Sequence, residues 1–196
     1  MSTVLQIYEA IDRLAPFFLS MDFDNTGILV GDRQKKVERA LLALDCTKEV
    51  LRQAKELGAQ LIITHHPIIF HPIKRVNEDS LVYHLLRSDI AVISAHTNLD
   101  IAQGGVNDLL AKRIGLSDCR GLQPMDAQGT FFLGRVGSLP EGMEPQQFAQ
   151  YRAFIEENRC YDTGITIRPG DRLLTLSTCA YHTANGRFLV VARQID

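Results

Sequence analysis

The first part of the chain alternates between helix-like and strand-like patterns of apolar residues. The strand-like patterns are short, nearly continuous apolar runs at residues 28–31, 39–45, 61–64 and 90–95. A helix-like pattern, with apolar residues every three or four positions, precedes Pro16, and this proline is expected to end the helix. The apolar positions of that helix are Val4, Ile7, Ile11 and Leu14.

Residues suited to helix ends separate these runs. Thr47 can begin a helix and Gly58 can end it, Ser80 can begin a second helix, and Gly104-Gly105 opens a third. Alternating strands and helices predict an α/β fold with a mainly parallel sheet, flanking helices and right-handed crossovers. In such a sheet we expect the run at residues 39–45 to be buried on both faces.

The pattern changes after Gly129. A predicted helix at residues 144–158 lies among short apolar runs, and turn signals such as Pro169-Gly170-Asp171 and Asn185-Gly186 separate the later runs. Closely spaced strands with tight turns are typical of antiparallel β structure. These runs are residues 130–136, 165–167, 173–178 and 188–192.

The composition narrows the class of protein. The chain has 196 residues, of which 45% are hydrophobic, so it can bury a sizeable core. Its formal net charge of −2 offers no basic surface for nucleic acid. Four widely spread cysteines indicate neither a disulfide framework nor a thiolate zinc site. Without a secretion signal or an apolar run of about 18 residues, the expectation is a cytoplasmic protein with no membrane segment.

Potential metal ligands follow two of the predicted strands. His65 and His66 come directly after the run at residues 61–64, and His96 and Asp100 follow the run at residues 90–95. Ligands bind beyond the carboxyl ends of strands in an open α/β sheet, so these side chains are expected to converge. Imidazole with carboxylate suits a divalent transition metal: zinc, iron, manganese or cobalt. Of the four, His96 is favoured as a residue that orients a ligand.

Several nearby polar residues are given structural roles. Asp45 also ends a strand, but a single acid there is more often a cap for the helix that follows. Asp24 and Asn25 are expected to form a turn that could line the site. No role is assigned to His71, and His84 is expected on a helix face.

Three motifs resemble the NGG-interacting-factor-three-like family, also called GTP cyclohydrolase 1 type 2 homologues or dinuclear metal centre proteins. The resemblance covers residues 1–150, a domain that would be the amino half of that fold. It implies that His65, His66 and Asp100 are ligands of a two-metal centre. It also implies a hexameric homo-oligomer and metal-dependent hydrolysis of an unknown small molecule. The motifs are Asp24-Asn25-Thr26-Gly27-Ile28-Leu29-Val30-Gly31, Thr64-His65-His66-Pro67, and His96-Thr97-Asn98-Leu99-Asp100 with Gly104-Gly105-Val106-Asn107-Asp108.

This chain departs from that family near its end. The family completes its metal site with a His and a Glu, four residues apart, near its C-terminus. After Asp100 the only histidine here is His182, and no Glu follows it. Two ions each need about four ligands. The expected dinuclear site is therefore incomplete, and any hydrolase activity is expected to be impaired.

The last segment, residues 151–196, resembles the C-terminal strands of a class B sortase barrel. The resemblance rests on Leu174-Thr175-Leu176-Ser177-Thr178-Cys179 and on the run that begins at Gly186-Arg187. It implies Cys179 as the transpeptidase nucleophile and Arg187 as the group that stabilises the oxyanion. A sortase also needs an upstream histidine, and none lies between Asp100 and Cys179. We therefore expect the cysteine to be inactive.

Three functional hypotheses remain open from the sequence. The first is a metal-binding, hydrolase-like protein with an incomplete dinuclear site. The second is a fragment of a cysteine transpeptidase, and the third is a non-catalytic oligomerising module. Metal content separates the first hypothesis from the third.

Overall fold

A computed structural model describes residues 1–113, 115–138, 145–158, 168, 173–180 and 186–193. The chain separates into two compact units, of which the first comprises Met1–Val106 with Met125–Phe131 and the second comprises Asn107–Pro124 with Phe132–Asp196. From the sequence, residues 151–196 are also predicted to resemble a different family from residues 1–150. This boundary concerns ancestry and stays a prediction. Among the described residues, no helix has both the length and the apolar character needed to cross a bilayer.

The first unit contains most of the predicted helices and strands. Its strand at Leu61–Thr64 begins and ends where the sequence predicts. The helix at Thr97–Ile101 was not predicted, because its short sequence carries no helical repeat of apolar residues. The elements are β1 (Ser2–Thr3), α1 (Val4–Leu14), a 3₁₀ turn (Phe17–Leu19), β2 (Gly27–Val30), β3 (Lys36–Val37), β4 (Ala40–Ala43), α2 (Lys48–Glu56), β5 (Leu61–Thr64), α3 (Leu81–Arg87), β6 (Ala91–Ser94) and α4 (Thr97–Ile101).

Four of these strands form one mixed sheet in the order β2-β6-β5-β4. β4, β5 and β6 are parallel, with Ala43 opposite Thr64 and Thr64 opposite Ser94. β2 runs antiparallel to β6, with Gly27 opposite Ser94. The mainly parallel α/β sheet is therefore confirmed, and an antiparallel strand is added at one edge.

Successive residues of β5 and β6 pack on opposite faces of the sheet, as the two-residue repeat of a strand requires. Ile62 and Val92 belong to an apolar cluster that includes Leu51 of α2 and Leu85 of α3. The alternate positions face a second cluster that includes Val4 of α1. The members of the second cluster on the two strands are Leu61, Ile63, Ala91 and Ile93.

The prediction that residues 39–45 are buried on both faces is wrong. β4 lies at the edge of the sheet and pairs only with β5. Leu42 is 76% exposed, whereas every residue of β6 is buried. An apolar run does not distinguish an interior strand from an edge strand, because sheet order depends on pairing between distant segments.

The predicted helix ends are mostly confirmed. Pro16 follows the end of α1 at Leu14 as predicted, and Thr3 and Gln6 add a reciprocal capping box at its start that was not predicted from the sequence. The Thr47 side chain accepts a hydrogen bond from the Val50 amide at the start of α2. Ser80 occupies the corresponding position before α3, but its hydroxyl makes no capping hydrogen bond. Of these three helix starts, α3 alone therefore lacks a side-chain cap.

In the second unit the strands pair antiparallel, as predicted. β7 (Ser117–Pro124), which the sequence did not predict, pairs with β8 (Phe132–Ser138), and β9 (Leu173–Ala180) pairs with β10 (Gly186–Arg193). α5 (Val106–Arg113) leads into this unit, and α6 (Pro145–Asn158) confirms the helix predicted for residues 144–158. The strand predicted at residues 165–167 lies outside the described residues, as does His182.

Candidate metal centre

The end of β5 places His65 and His66 beside the ends of its two neighbouring strands. His65 Nδ1 lies 3.1 Å from the carbonyl oxygen of Ala95, which follows β6. A carbonyl oxygen can only accept, so Nδ1 of His65 carries the proton and donates it. In a neutral imidazole this leaves the lone pair on Nε2, the atom that can ligate a metal.

The His66 ring is held from the other side, by Asp45. The parallel register places Ala43 opposite Thr64, so Asp45 lies level with His66. His66 Nδ1 lies 2.6 Å from Asp45 Oδ1 and donates to this carboxylate. The expected capping role of Asp45 is wrong, because Thr47 caps α2 instead. The sequence carried only part of this signal: Asp45 and His66 each stand at the end of an apolar run, but the register that pairs them is visible only in the structure.

The end of β6 contributes His96, which is held by Asp24. β2 is antiparallel to β6, so the residues just before β2 lie beside the residues just after β6. His96 Nδ1 lies 2.9 Å from Asp24 Oδ1 and donates to it. Both side chains are buried, with 3% of His96 and 0% of Asp24 exposed. The turn predicted at Asp24 thus also supplies an orienting carboxylate.

Burial alone would raise the pKa of Asp24. Hydrogen bonds from His96 and Thr97 more than offset this effect and lower the pKa to about 2. Thr97 donates twice to Asp24 Oδ2, from its amide at 3.1 Å and from its hydroxyl at 2.5 Å. Asp24 is therefore an anion at neutral pH, and it accepts a hydrogen bond from Nδ1 of His96.

The three imidazoles converge on one point. One ring nitrogen from each of His65, His66 and His96 lies within 4.8 Å of the others. The ring centroids are 5.1 Å apart for His65 with either neighbour and 5.6 Å apart for His66 and His96. Each Nδ1 donates to an oxygen atom, which is the usual way that proteins orient histidine ligands.

Asp100 lies on α4, close to this cluster. Its Oδ1 is 3.6 Å from His65 Nε2, and 23% of its side chain is exposed. The fold places Asp100 beside His65, and it places the ring of His96, which the sequence favoured as an orienting residue, with the rings of His65 and His66. The exposed His71 and the half-buried His84 of α3 lie outside it. Three imidazoles with a carboxylate nearby suit a divalent transition metal.

The chain matches the family model described as Duf34/NIF3 (NGG1p interacting factor 3) over residues 2–163, which extends beyond residue 150. A GTP cyclohydrolase 1 type 2 homolog from Clostridium perfringens is 41% identical over 145 residues, 70% of this chain and 54% of the relative. A namesake from Halalkalibacterium halodurans is 41% identical over 135 residues, 67% of this chain and 36% of the relative. The chain thus spans about half or less of the length of these curated relatives.

Solved structures agree with this relationship. A Bacillus cereus protein related to NIF3 is 40% identical with a TM-score of 0.60, and the match covers 63% of this chain and 35% of that chain. Reduced HcgD from Methanocaldococcus jannaschii is 32% identical with a TM-score of 0.66, and the match covers 80% of this chain and 62% of that chain. With the family model matching most of its residues, this chain belongs to the Duf34/NIF3 family.

Proposed function

We propose that this chain is a metal-binding, hydrolase-like protein whose ion is held by His65, His66, His96 and Asp100. The observation that carries the proposal is the convergence of three oriented imidazoles, with one ring nitrogen of each within 4.8 Å of the others. Asp100 Oδ1 supplies a carboxylate 3.6 Å from His65 Nε2. Zinc, iron, manganese and cobalt all accept such a set of ligands.

The donor set supports fewer than two tightly held ions per chain. Structural and catalytic zinc sites use about four and three protein ligands per ion, respectively. Three imidazoles and one carboxylate match one such site. When bound, the ion would act as a Lewis acid and lower the pKa of a bound water toward about 7. Asp24 and Asp45 keep the rings oriented through the Nδ1 protons of His96 and His66.

The substrate and the assembly belong to this proposal as well. The net charge of −2 favours a small molecule over nucleic acid. Resemblance to the family implies a homo-oligomer, a hexamer in the family, and the exposed apolar Leu42 on the edge strand β4 is compatible with self-association. Gel filtration with light scattering would measure the assembly.

Metal content tests the central claim. The purified chain is dialysed and analysed for metals by mass spectrometry, alongside a His65→Ala/His66→Ala variant. We expect the wild-type chain to retain metal, at fewer than two ions per chain, and the variant to retain almost none. A His71→Ala/His84→Ala variant is the matched control and should keep the wild-type content. Two tightly held ions per chain, or unchanged content in the first variant, would disprove the proposal. A metal-free wild type would favour a non-catalytic oligomerising module.

The alternative function, a sortase-like cysteine transpeptidase fragment, gains no support from the comparisons with known proteins. The antiparallel register of β9 and β10 places Arg187 opposite Cys179. The absence of a histidine between Asp100 and Cys179 argues against activity, because the leaving amine needs a proton donor. We propose that Cys179 is not a working nucleophile. Cleavage of a sorting-signal peptide that is lost in Cys179→Ala would refute this.

A further inference from the structure

A cavity of about 360 Å³ adjoins the metal cluster on the side of His66. Its size is at the lower end of the range for small-molecule pockets, about 300–1,000 Å³. His66 and Asp45 are polar members of its lining, and so is Ser80, the residue before α3. The cavity therefore shares a side chain with the candidate metal centre and extends away from it.

The rest of the lining is mainly aliphatic. Leu81 and Val82 line the cavity from α3 and also pack against the apolar cluster around Ile62, so this wall is anchored in the core. Ile73 lines it from the segment between β5 and α3 and is 43% exposed. The α3 side of the cavity is therefore packed against the core, whereas the Ile73 side is exposed to solvent.

The charges around the cavity restrict its occupant. Asp45 is the one charged side chain among the described residues that line it, apart from the titratable His66, and no Lys or Arg belongs to the lining. A carboxylate or phosphate there would lose its hydration without gaining a cation, and it would be repelled by Asp45. An uncharged ring or acyl group would instead bury apolar surface against Ile73, Leu81 and Val82.

We infer that this cavity binds the uncharged, mainly apolar part of the small molecule on which the site acts, an inference that rests on the proposed metal function. The reacting group of that molecule would lie at His66, and Ser80 adds a polar residue to the lining. Negatively charged groups of the substrate must then lie outside the cavity.

Methyl NMR with two molecules of similar shape tests this inference. The full chain is dialysed against a chelator and titrated at pH 7 with benzamide and benzoate, which are neutral and anionic. We expect benzamide to shift the methyl signals of Ile73, Leu81 and Val82, and to bind at least about 10-fold more tightly than benzoate (~1.4 kcal/mol). Absence of these shifts with benzamide, or equal binding of benzoate, would overturn the inference.

A charge introduced into the cavity gives a second readout. Ile73→Lys adds a cation to the lining, and we expect it to raise benzoate affinity at least about 5-fold. Val76→Lys is the matched control, because Val76 lies on the same segment, is 50% exposed and does not line the cavity. Both positions are exposed enough to accept lysine without disturbing the core. Equal gains in the two variants would contradict the assignment of the cavity.

The two proposals fail separately. Benzamide binding does not require metal, so the NMR result stands whatever the metal content. A chain that holds no metal but binds benzamide would overturn the metal function alone. A chain that holds metal but shows no methyl shifts would overturn the cavity assignment alone.

Discussion

β6 and β4 have similar apolar sequences, AVIS and ALLA, and both are parallel to β5, yet they differ sharply in burial. All four residues of β6 are buried, whereas Ala40 and Leu42 of β4 are exposed. β6 lies between β2 and β5, and β4 has β5 on one side only. An apolar sequence alone therefore does not fix how much a strand contributes to the core.

The largest expected effect extends this comparison to β9 and β10, which pair only with each other among the described strands. Two-stranded pieces are marginal on their own. We expect their amides to exchange at least about 1,000-fold faster than those of β5 and β6, a difference of ~4 kcal/mol in opening free energy. Native-state hydrogen exchange on a dilute monomer measures this. Equal protection would show that residues after 150 are an integral part of the fold.

Truncating one side chain on each strand tests the comparison directly. Ile93 of β6 is fully buried, so Ile93→Ala should lower the free energy of unfolding by about 2–5 kcal/mol. Leu42 of β4 is 76% exposed, and Leu42→Ala should change it by about 0.5 kcal/mol or less. Urea denaturation with unchanged slopes gives both values. Similar losses would mean that β4 is covered in solution, as an assembly through this edge would require.

Asp24 and Asp45, the carboxylates that orient His96 and His66 at the strand ends, differ in burial. The Asp24 side chain has no exposed surface and accepts hydrogen bonds from His96 and Thr97, whereas 29% of the Asp45 side chain is exposed and it accepts from His66. Either Asp→Asn change should weaken zinc binding by about 10–100-fold (~1.4–2.7 kcal/mol), with Asp24→Asn the more severe.

Calorimetric zinc titration measures these affinities. Asp126→Asn is the control, because Asp126 accepts the Thr130 and Phe131 amides in a turn and is outside the histidine cluster. Zinc affinity that is unchanged in both test variants would rule out an orienting role for these carboxylates.

The smallest effect concerns the helix that follows β4 and the helix that precedes β6. The Thr47 hydroxyl accepts from the Val50 amide, so Thr47→Ala should cost about 1 kcal/mol of stability. Ser80 makes no capping hydrogen bond, and Ser80→Ala should cost less than about 0.5 kcal/mol. Thermal unfolding of the two variants would distinguish them, and equal shifts would show that Ser80 does cap α3 in solution.

Local sequence features predicted the elements well. The bounds of β5 and the Thr47 cap of α2 follow from short-range patterns and are confirmed. The edge position of β4 and the antiparallel β2 were not predicted, because both depend on pairing between segments distant in sequence. β7 was missed because its sequence lacks an apolar alternation.

In the candidate site, too, features that depend on local sequence were predicted and features that depend on strand pairing were not. His65, His66 and Asp100 could be recognised because each follows an apolar strand and carries a typical ligand group. The carboxylates that orient the imidazoles could not be assigned, because the pairing of Asp45 with His66 needs the β4–β5 register and that of Asp24 with His96 needs the β2–β6 register. Their local context resembled a cap and a turn.

Thr64 and Ser94, the last paired residues of β5 and β6, are joined through their hydroxyl groups. Thr64 gives its one hydroxyl proton to the His66 carbonyl at 2.9 Å, so Ser94, 2.8 Å away, must donate to Thr64. This aligns the two strand ends whatever the length of chain that connects them. Insertions and deletions at the exposed residues 74–79 should therefore leave this alignment intact. A one-residue shift of either strand would turn alternate side chains to the wrong face and separate the histidines.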